Sequence, residues 1–323
     1  MKKIVVLTSG GDAPGMNAAI RAVVRSALHE GLDVLGCESG FIGLVENRFH
    51  AMDSFSVANC IQRGGTILKT GRSKEFFNKE VRAAVIQTLK KQNVDGLVVL
   101  GGDGSFQGAR ILHKEGGPPV IGVPCTIDND ITGTEYTIGF DTARNTGLQA
   151  IDKIRDTAYS HDRDFMIEVM GRNTGHLALD VGMAGGAEII VTPEFPISAE
   201  KITKIIEERK RKKLISIMVV AEANHPGHSL QLAEKIKQLS GIEYRVCILG
   251  HTQRGGIPTL LDRKTATLMG YEAIQALLAG KNGQMMALVG EKILCVNFPS
   301  ADDATRYLPN DTLLKINSTL NPL

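Results

Sequence analysis

Cysteine is sparse in this 323-residue chain: Cys37, Cys60, Cys125, Cys247 and Cys295 are odd in number and widely scattered. No CxxC pair occurs among them, which excludes a disulfide framework and a zinc site and suits a reducing cytoplasm. An excess of either charge is also lacking. The 37 lysines and arginines against 35 acids leave a net charge of +2, which speaks against a general nucleic-acid binder. Long apolar runs are missing as well. After Met1-Lys2-Lys3 only residues 4–7 are apolar before polar and glycine residues begin, which is too short for a signal peptide. No stretch approaches the length of a membrane span. There is no internal repeat, heptad array or low-complexity linker, and no GxxxxGK[ST] sequence offers a Walker-type nucleotide loop.

Glycine is plentiful, at 35 residues, and much of it directly follows apolar runs. Such placement suits loops where backbone must approach a ligand closely. The length predicts two domains of roughly 150 residues each. Apolar strand-like runs alternate with helix-like segments, which predicts parallel βαβ units and an α/β fold. The expected strands are 4–7, 97–100, 120–123, 165–169, 215–220 and 246–249. The expected helices are 17–30, 79–92, 105–114, 142–157, 199–212 and 259–279, with domain borders near Gly139 and again near His251.

The most informative stretch is Thr126-Ile127-Asp128-Asn129-Asp130, two carboxylates just past the buried-strand run Val120-Ile121-Gly122-Val123-Pro124. Acids at the carboxyl end of such a strand face the crevice where open α/β sheets bind ligands. Gly101-Gly102-Asp103-Gly104-Ser105 sets another acid at an earlier strand end. Glycine-cradled Asp103 suits a metal ion; Asp128 suits a proton acceptor, with Asp130 either orienting it or aiding the metal region through water contacts. The ordinary alternatives for such aspartates are helix caps and turn formers. Gly102, Gly104 and Gly108 fit GxGxxxG rather than a dinucleotide fingerprint, and a bare carboxylate there would repel a pyrophosphate. With Mg²⁺ between them the repulsion becomes attraction. Together these acids point to phosphoryl transfer.

Ser9-Gly10-Gly11-Asp12-Ala13-Pro14-Gly15 follows the first strand and opens a helix. Its N–H groups and the helix amino end favour phosphate, although a tight βα turn in any α/β protein reads the same way. Arg72, in Thr70-Gly71-Arg72-Ser73, suits bridging phosphate oxygens and stabilising transition-state charge. Met170-Gly171-Arg172 ends strand 165–169, and Arg163 precedes it. His251-Thr252-Gln253-Arg254-Gly255-Gly256 ends strand 246–249, and Arg245 begins it. Any one of these arginines has an ordinary surface reading. As a set, guanidinium forks at strand termini point to a sugar-phosphate site. Glu222 either accepts bonds from sugar hydroxyls or caps the next helix. Arg21 and Arg25 share a helix face. The run Glu207-Glu208-Arg209-Lys210-Arg211-Lys212-Lys213 either complements its helix dipole or joins a second anion site. His225 and His228, flanking Pro226-Gly227, read as loop residues rather than metal ligands.

In their order along the chain, Thr8-Ser9-Gly10-Gly11-Asp12, Gly101-Gly102-Asp103-Gly104-Ser105, Thr126-Ile127-Asp128-Asn129-Asp130, Met170-Gly171-Arg172 and Gly250-His251 through Gln253-Arg254-Gly255-Gly256 resemble the bacterial 6-phosphofructokinase family. The resemblance runs from Ile4 to about Asn282 and weakens over the rest. It implies two α/β/α sandwich domains with largely parallel sheets and an active site in the cleft between them. Residues 1–139 with 252–303 would form the larger, nucleotide-binding domain; 140–251 with 304–323 would form the smaller, sugar-phosphate-binding one. It implies a cytoplasmic homotetramer that transfers the γ-phosphoryl of ATP to the 1-hydroxyl of fructose 6-phosphate in glycolysis, with no nucleic-acid or membrane partner. ATP would meet Gly11, Arg72, Ser73, Gly102, Asp103, Gly104 and Ser105, and Asp103 would hold Mg²⁺. Fructose 6-phosphate would meet Thr126, Asp128, Met170, Gly171, Arg172, Glu222, His251 and Arg254, with Arg163 and Arg245 reaching it from a neighbouring subunit. Asp128 would accept the proton, and Arg72, Thr126 and Arg172 would complete the catalytic set.

Within that resemblance, pyrophosphate-using relatives tend to carry aspartate where this chain has Gly104 and lysine where it has Cys125. Gly104 therefore favours ATP, while Cys125 departs from the glycine usual in ATP users. The resemblance also implies an interface site for ADP or phosphoenolpyruvate, matched by Arg21, Arg25, Arg155, Gly186, Glu188, Arg211 and Lys213. Ser54 and Phe55 depart from its usual arginine and tyrosine, and Phe41 replaces a tyrosine usual near the adenine. The alternatives are a pyrophosphate-dependent phosphofructokinase, another kinase with a GGDG loop such as a NAD or lipid kinase, a silent nucleotide-binding subunit, and a dinucleotide oxidoreductase.

Overall fold

Runs of Val, Ile and Leu form the strands, and glycine or proline stops them. The computed structural model describes residues 1–211, 215–223, 226–299, 309 and 311–320. In chain order the elements begin with β1 (Lys3–Thr8), α1 (Met16–His29), β2 (Asp33–Cys37), α2 (Gly40–Glu46), β3 (Phe49–Met52) and α3 (Lys79–Lys91). Next come β4 (Gly96–Gly101), α4 (Asp103–Lys114), β5 (Val120–Pro124), α5 (Phe140–His161), β6 (Asp164–Val169), α6 (His176–Ala184) and β7 (Ile189–Val191). The chain continues through α7 (Ala199–Arg211), β8 (Ile217–Ala221), α8 (His228–Ser240) and β9 (Tyr244–Ile248). It closes with α9 (Leu260–Leu278), β10 (Gln284–Val289), β11 (Lys292–Asn297) and α10 (Thr312–Leu320).

These elements fall into two compact units. The first takes Met1–Thr142 and, from Arg254 onward, α9 with the β10–β11 hairpin. Its seven-stranded sheet has the order β11-β10-β5-β4-β1-β2-β3, parallel except where β3 and β11 pair antiparallel at the edges. Along β1, Val5 and Leu7 enter a core with Phe41, Phe76 and Phe106, while the alternate residues Ile4 and Val6 are buried on the other face. Helices α1 and α9 pack together so closely that a Cβ on Gly270 would overlap Ala19 and Ala22. The second unit takes Ala143–Gln253 and α10. Its four-stranded sheet, β7-β8-β6-β9, is parallel throughout. Met166, Met218 and Val220 pack on Ile202, Ile206, Leu232 and Ile236 of α7 and α8. On the opposite face, Ile190 and Val219 leave no room for a side chain on Gly182 of α6.

The α/β class expected from the alternating pattern is the fold observed. Some boundaries differ. Helix α4 begins at Asp103, making this acid the first helical residue rather than a loop residue. Helix α5 starts earlier and ends later than expected, at Phe140 and His161. Strands β8 and β9 start at Ile217 and Tyr244. Lys212, Lys213 and His225 lie outside the described residues. No described helix is long and apolar enough to cross a membrane.

Candidate active site

The seven-stranded sheet reverses its winding between β1 and β4: β1 leads by α1 to β2 on one side, and β4 leads by α4 to β5 on the other. Such a switch opens a crevice at the carboxyl ends of the strands. The ends are level, because Thr8 pairs with Leu100 and Gly101 with Pro124. The loop after β1 is bound directly to the end of β4, with the Ser9 N–H donating to the Leu100 carbonyl at 2.9 Å. A Cβ on Gly101 would collide with the Ser9 carbonyl and the Ser105 hydroxyl, so only glycine permits this approach. Helices α1 and α4 both start from glycine N-caps, Gly15 and Gly102, with no side-chain cap. Their orphan N–H groups and partial positive charge stay available to an anion at this crevice.

Asp103 is exposed in the first turn of α4, where its Oδ1 accepts from Gln107 Nε2 at 3.4 Å. A Cβ on Gly102 or Gly104 would meet nothing within 4 Å, so the ground before this turn is open. Arg72 is exposed in a loop that Thr70 anchors, Thr70 Oγ1 donating to the Gly10 carbonyl at 2.9 Å. Ser73 Oγ accepts from the Phe76 N–H at 3.2 Å. Beside them Phe41 and Phe76 pack with centroids 4.4 Å apart and rings tilted by 40°, and both touch the ground around Gly108. Arg254 belongs to this unit too. Its guanidinium lies where a Cβ of Gly11 would be, and Nη1 reaches the Asp12 carbonyl at 3.4 Å.

The third strand end, after β5, holds Thr126 and Asp128. Asp128 is buried, only 2% exposed, and its N–H donates to Thr126 Oγ1 at 3.2 Å. The following residue, Asn129, adopts left-handed φ of 51°. Its side chain pays for that conformation by donating to the Glu135 carbonyl at 3.0 Å and accepting from the Thr137 N–H at 2.9 Å. Thr137 Oγ1 in turn donates to the Thr126 carbonyl at 2.7 Å. Burial pushes the Cys125 thiol well above its ordinary range, which removes thiolate chemistry from this spot.

In the second unit, β6, β8 and β9 likewise end side by side, with Val169 level with Ala221 and Glu168 level with Ile248. Gly171 and Arg172 take φ of 141° and 50°, a turn in which the Thr174 N–H donates to the Gly171 carbonyl. Buried Glu222 accepts from the Arg172 N–H at 3.0 Å, which fixes the turn and leaves the Arg172 side chain exposed. The two open readings of Glu222 narrow here, since it holds a neighbouring loop rather than a helix start. Capping of α8 falls to Glu168, which accepts from Ser229 N–H and Oγ at 2.9 and 2.6 Å. The Met170 N–H donates to Gln253 Oε1 at 2.8 Å, and His251 is exposed nearby in chain order.

Arg163 and Arg245 do not join that group within one chain. Asp164 pairs with Tyr244 and Phe165 with Arg245, so both arginines mark the amino ends of β6 and β9. At ~3.3 Å per residue, the length of β6 separates them from the Arg172 turn by about 20 Å. Within one chain the strand-terminal arginines therefore fall at two different ends of the parallel strands. The two arginines do share surroundings: with Lys237 as the main cause, both help to hold the Glu243 carboxyl below its ordinary range.

Of the residues matched to an effector site, Arg155, Gly186 and Glu188 come together. Arg155 Nη2 donates to the Gly185 and Gly186 carbonyls at 2.6 and 2.8 Å, and its Nη1 lies 3.8 Å from Glu188. Arg21 and Arg25 lie on α1, where Arg25 reaches the Ser54 carbonyl at 3.4 Å and Phe55 is 84% exposed. Arg211 ends α7, and Lys213 lies outside the described residues.

No cluster of three or more metal-binding side chains occurs among the described residues. A lone exposed carboxylate beside open ground nevertheless fits Mg²⁺, which keeps waters and shares its coordination with phosphates rather than filling a protein cage. Sequence reasoning gave no role to Asn129, Thr137, Gln253 or Asp262. Asn129 and Gln253 stand inside recognised motifs, but Asp262 is linked to the site by contacts some 120 positions away, for which the sequence holds no local signal.

The family described as Phosphofructokinase matches residues 3–277 of the chain. The chain is 58% identical over 320 residues to the ATP-dependent 6-phosphofructokinase of Coxiella burnetii, covering 99% of this chain and 98% of that protein. It is 49% identical over 321 residues to the ATP-dependent 6-phosphofructokinase 1 of Thermus thermophilus, covering 99% of each. Among solved structures, the phosphofructokinase from Saccharomyces cerevisiae has a TM-score of 0.84 at 35% identity, covering 92% of this chain and 44% of that one. A pyrophosphate-dependent phosphofructokinase from Marinobacter aquaeolei has a TM-score of 0.84 at 23% identity over 97% of this chain and 86% of that one, a likeness of fold alone.

Proposed function

Because the chain belongs to the phosphofructokinase family, we propose that it transfers the γ-phosphoryl of ATP to the 1-hydroxyl of fructose 6-phosphate, giving fructose 1,6-bisphosphate and ADP in glycolysis. The observation that carries this reading is the level alignment of three neighbouring strand ends, which bear a glycine loop, an exposed acid at a helix start and a buried acid. Donor phosphates lie against Gly11, the N–H groups of Gly102 to Gly104 and the Ser105 side chain, with Ser73 and the Phe41–Phe76 pair flanking the nucleotide. Asp103 would hold Mg²⁺, which would supply positive charge to offset that of the donor phosphates.

Asp128 takes the proton of the 1-hydroxyl as that oxygen attacks the γ-phosphorus, and the ADP oxygen leaves with the bonding electron pair. Arg72 stabilises the charge that develops on the phosphoryl oxygens, and Thr126 helps fix the acceptor. Arg172, Met170, Gly171, Glu222, His251 and Arg254 serve the sugar phosphate. Arg163 and Arg245 serve it from a neighbouring subunit. Their separation from Arg172 within one chain, about 20 Å by the strand rise, supports a homo-oligomer, which we take to be a tetramer. ADP or phosphoenolpyruvate would act at Arg21, Arg25, Arg155, Gly186, Glu188, Arg211 and Lys213. Five free thiols suit the cytoplasm.

The open space before Gly104 supports ATP as donor, since nothing there crowds an α-phosphate. Initial velocities across fructose 6-phosphate concentrations, with ATP or pyrophosphate as donor, test the reading. Saturable turnover with ATP alone is expected; turnover with pyrophosphate alone, or with neither donor, overturns it.

A further inference from the structure

Asp262 is 2% exposed and has no part in the chemistry described above. It stands in the first turn of α9, whose start is already capped by Thr259 Oγ1 accepting from the Asp262 N–H at 3.3 Å. Its carboxylate is turned to a distant segment. Oδ1 accepts from the Gly139 N–H at 2.8 Å, and Oδ2 accepts from the Thr142 N–H at 2.8 Å and from Thr142 Oγ1 at 2.5 Å. Burial raises its carboxyl above the ordinary range, against the lowering effect of those three bonds. A group held charged or shared at such expense is better explained by what it orders than by its own helix.

What it orders is the closing end of the loop that carries Asp128. Cys125 and Ile138 form an isolated parallel bridge, with the Thr126 N–H donating to the Ile138 carbonyl at 3.1 Å and the Ile138 N–H to the Pro124 carbonyl at 3.0 Å. Residues 125–138 are thus a ring closed at its base, and Asp262 holds the very next residue, Gly139. Inside the ring, Thr137 grips the Thr126 carbonyl and the Asn129 side chain, two residues before and one residue after Asp128. The phosphate-binding turn rests on the same point: a Cβ on Gly15 would fall 2.7 Å from Ile138 and 3.5 Å from Asp262 Cβ, and one on Gly139 would overlap Ala13. Taking Asp128 as the base, as proposed above, we infer that Asp262 is a positioning residue which clamps the base-bearing loop and the donor-phosphate turn to one another.

The full-length enzyme carrying Asp262→Asn is the test. Asparagine keeps the size and one acceptor oxygen but offers N–H where an N–H donor already points. The expected result is a kcat lowered ~10- to 100-fold, the scale of a misplaced catalytic group, with KM for ATP and for fructose 6-phosphate near wild type. In an Asp128→Ser background the same change should cost nothing more, because its effect passes through Asp128. Hydrogen exchange should quicken at amides 126–139 while α9 and the second unit keep their protection. Wild-type kcat, a loss confined to KM, a full additional loss in the Asp128→Ser background, or exchange that quickens everywhere would each overturn the inference. Should Asp262→Asn not fold, Thr142→Val against Thr142→Ser reads the same bonds: the valine variant is expected to lose kcat and loop protection, the serine variant to retain both. The opposite pattern overturns the clamp. Exchange needs no turnover, so an inactive wild type with locally quickened amides would sink the kinase reading and not the clamp.

Discussion

The two sheets offer different chemistry at their carboxyl ends. The seven-stranded sheet offers backbone: glycine turns at Gly10-Gly11 and Gly101-Gly102, and two helices whose first N–H groups carry no side-chain cap. The four-stranded sheet offers side chains: an exposed Arg172 on a turn fixed by buried Glu222, and exposed His251. A polyphosphate spreads its charge over many oxygens along a chain, which rows of N–H dipoles follow well. A phosphomonoester is compact and terminal, and guanidinium forks match it. The contrast teaches that a backbone site is recognised by what is absent, a Cβ or a cap, and a side-chain site by what projects.

The contrast can be broken most sharply at buried Asp128. Asp128→Ser should lower kcat by ~100- to 10,000-fold, the range of lost general-base catalysis, in a coupled assay with both substrates saturating. Arg72→Ala should cost ~100- to 1,000-fold in kcat, as expected for a group that acts on developing charge. A change confined to KM would move Arg72 to ground-state binding. Removing Arg163 or Arg245 should raise KM for fructose 6-phosphate about 10- to 100-fold while sparing KM for ATP, from the worth of a charged hydrogen bond. Mixing Arg163→Ala chains with Asp128→Ser chains should restore part of the lost activity, because each chain then supplies what the other lacks. Gly104→Asp should weaken ATP use by about 10-fold through like-charge repulsion, yet leave the melting temperature unchanged, because a Cβ there meets nothing within 4 Å.

The smallest effect concerns the frame behind the nucleotide loops. Arg82 holds Glu115 through two bonds of 2.7 Å and also donates to the Phe76 and Phe77 carbonyls. The guanidinium holds the Glu115 carboxyl below its ordinary range. A depressed carboxyl contributes stability above its unfolded pKa, about 4.3 for glutamate, and loses it as pH falls through the folded value. Glu115→Gln should therefore melt slightly lower than wild type at neutral pH, and the difference should close under acid.

Much of the fold is legible in the sequence because central parallel strands are buried on both faces and read as unbroken apolar runs. This makes β1, β4, β5, β6 and β8 visible, and the edge strand β9 shows as the apolar run 246–249. The other edges are not. Strand β3 buries one residue of its four, and β11 leaves alternate positions exposed without a clear pattern. Helix α6 escapes for the opposite reason, since six of its nine residues are buried and no polar stripe marks it as a helix. At the site, acids and glycines after apolar runs are legible as strand-end groups. The amino-end placement of Arg163 and Arg245 is legible too, whereas the bonds from Asp262 to Gly139 and Thr142 span too much chain for any local pattern.

The emptiness around Gly102 and Gly104 carries an evolutionary consequence. Where a new side chain disturbs no neighbour, a substitution is filtered by catalysis alone and never by folding. Such a position is open to neutral drift whenever selection on the donor relaxes, and to rapid recruitment when another phosphoanhydride becomes abundant. Gly101, one residue before, has no such freedom, so sterically fixed scaffold and adaptable surface abut within a single turn.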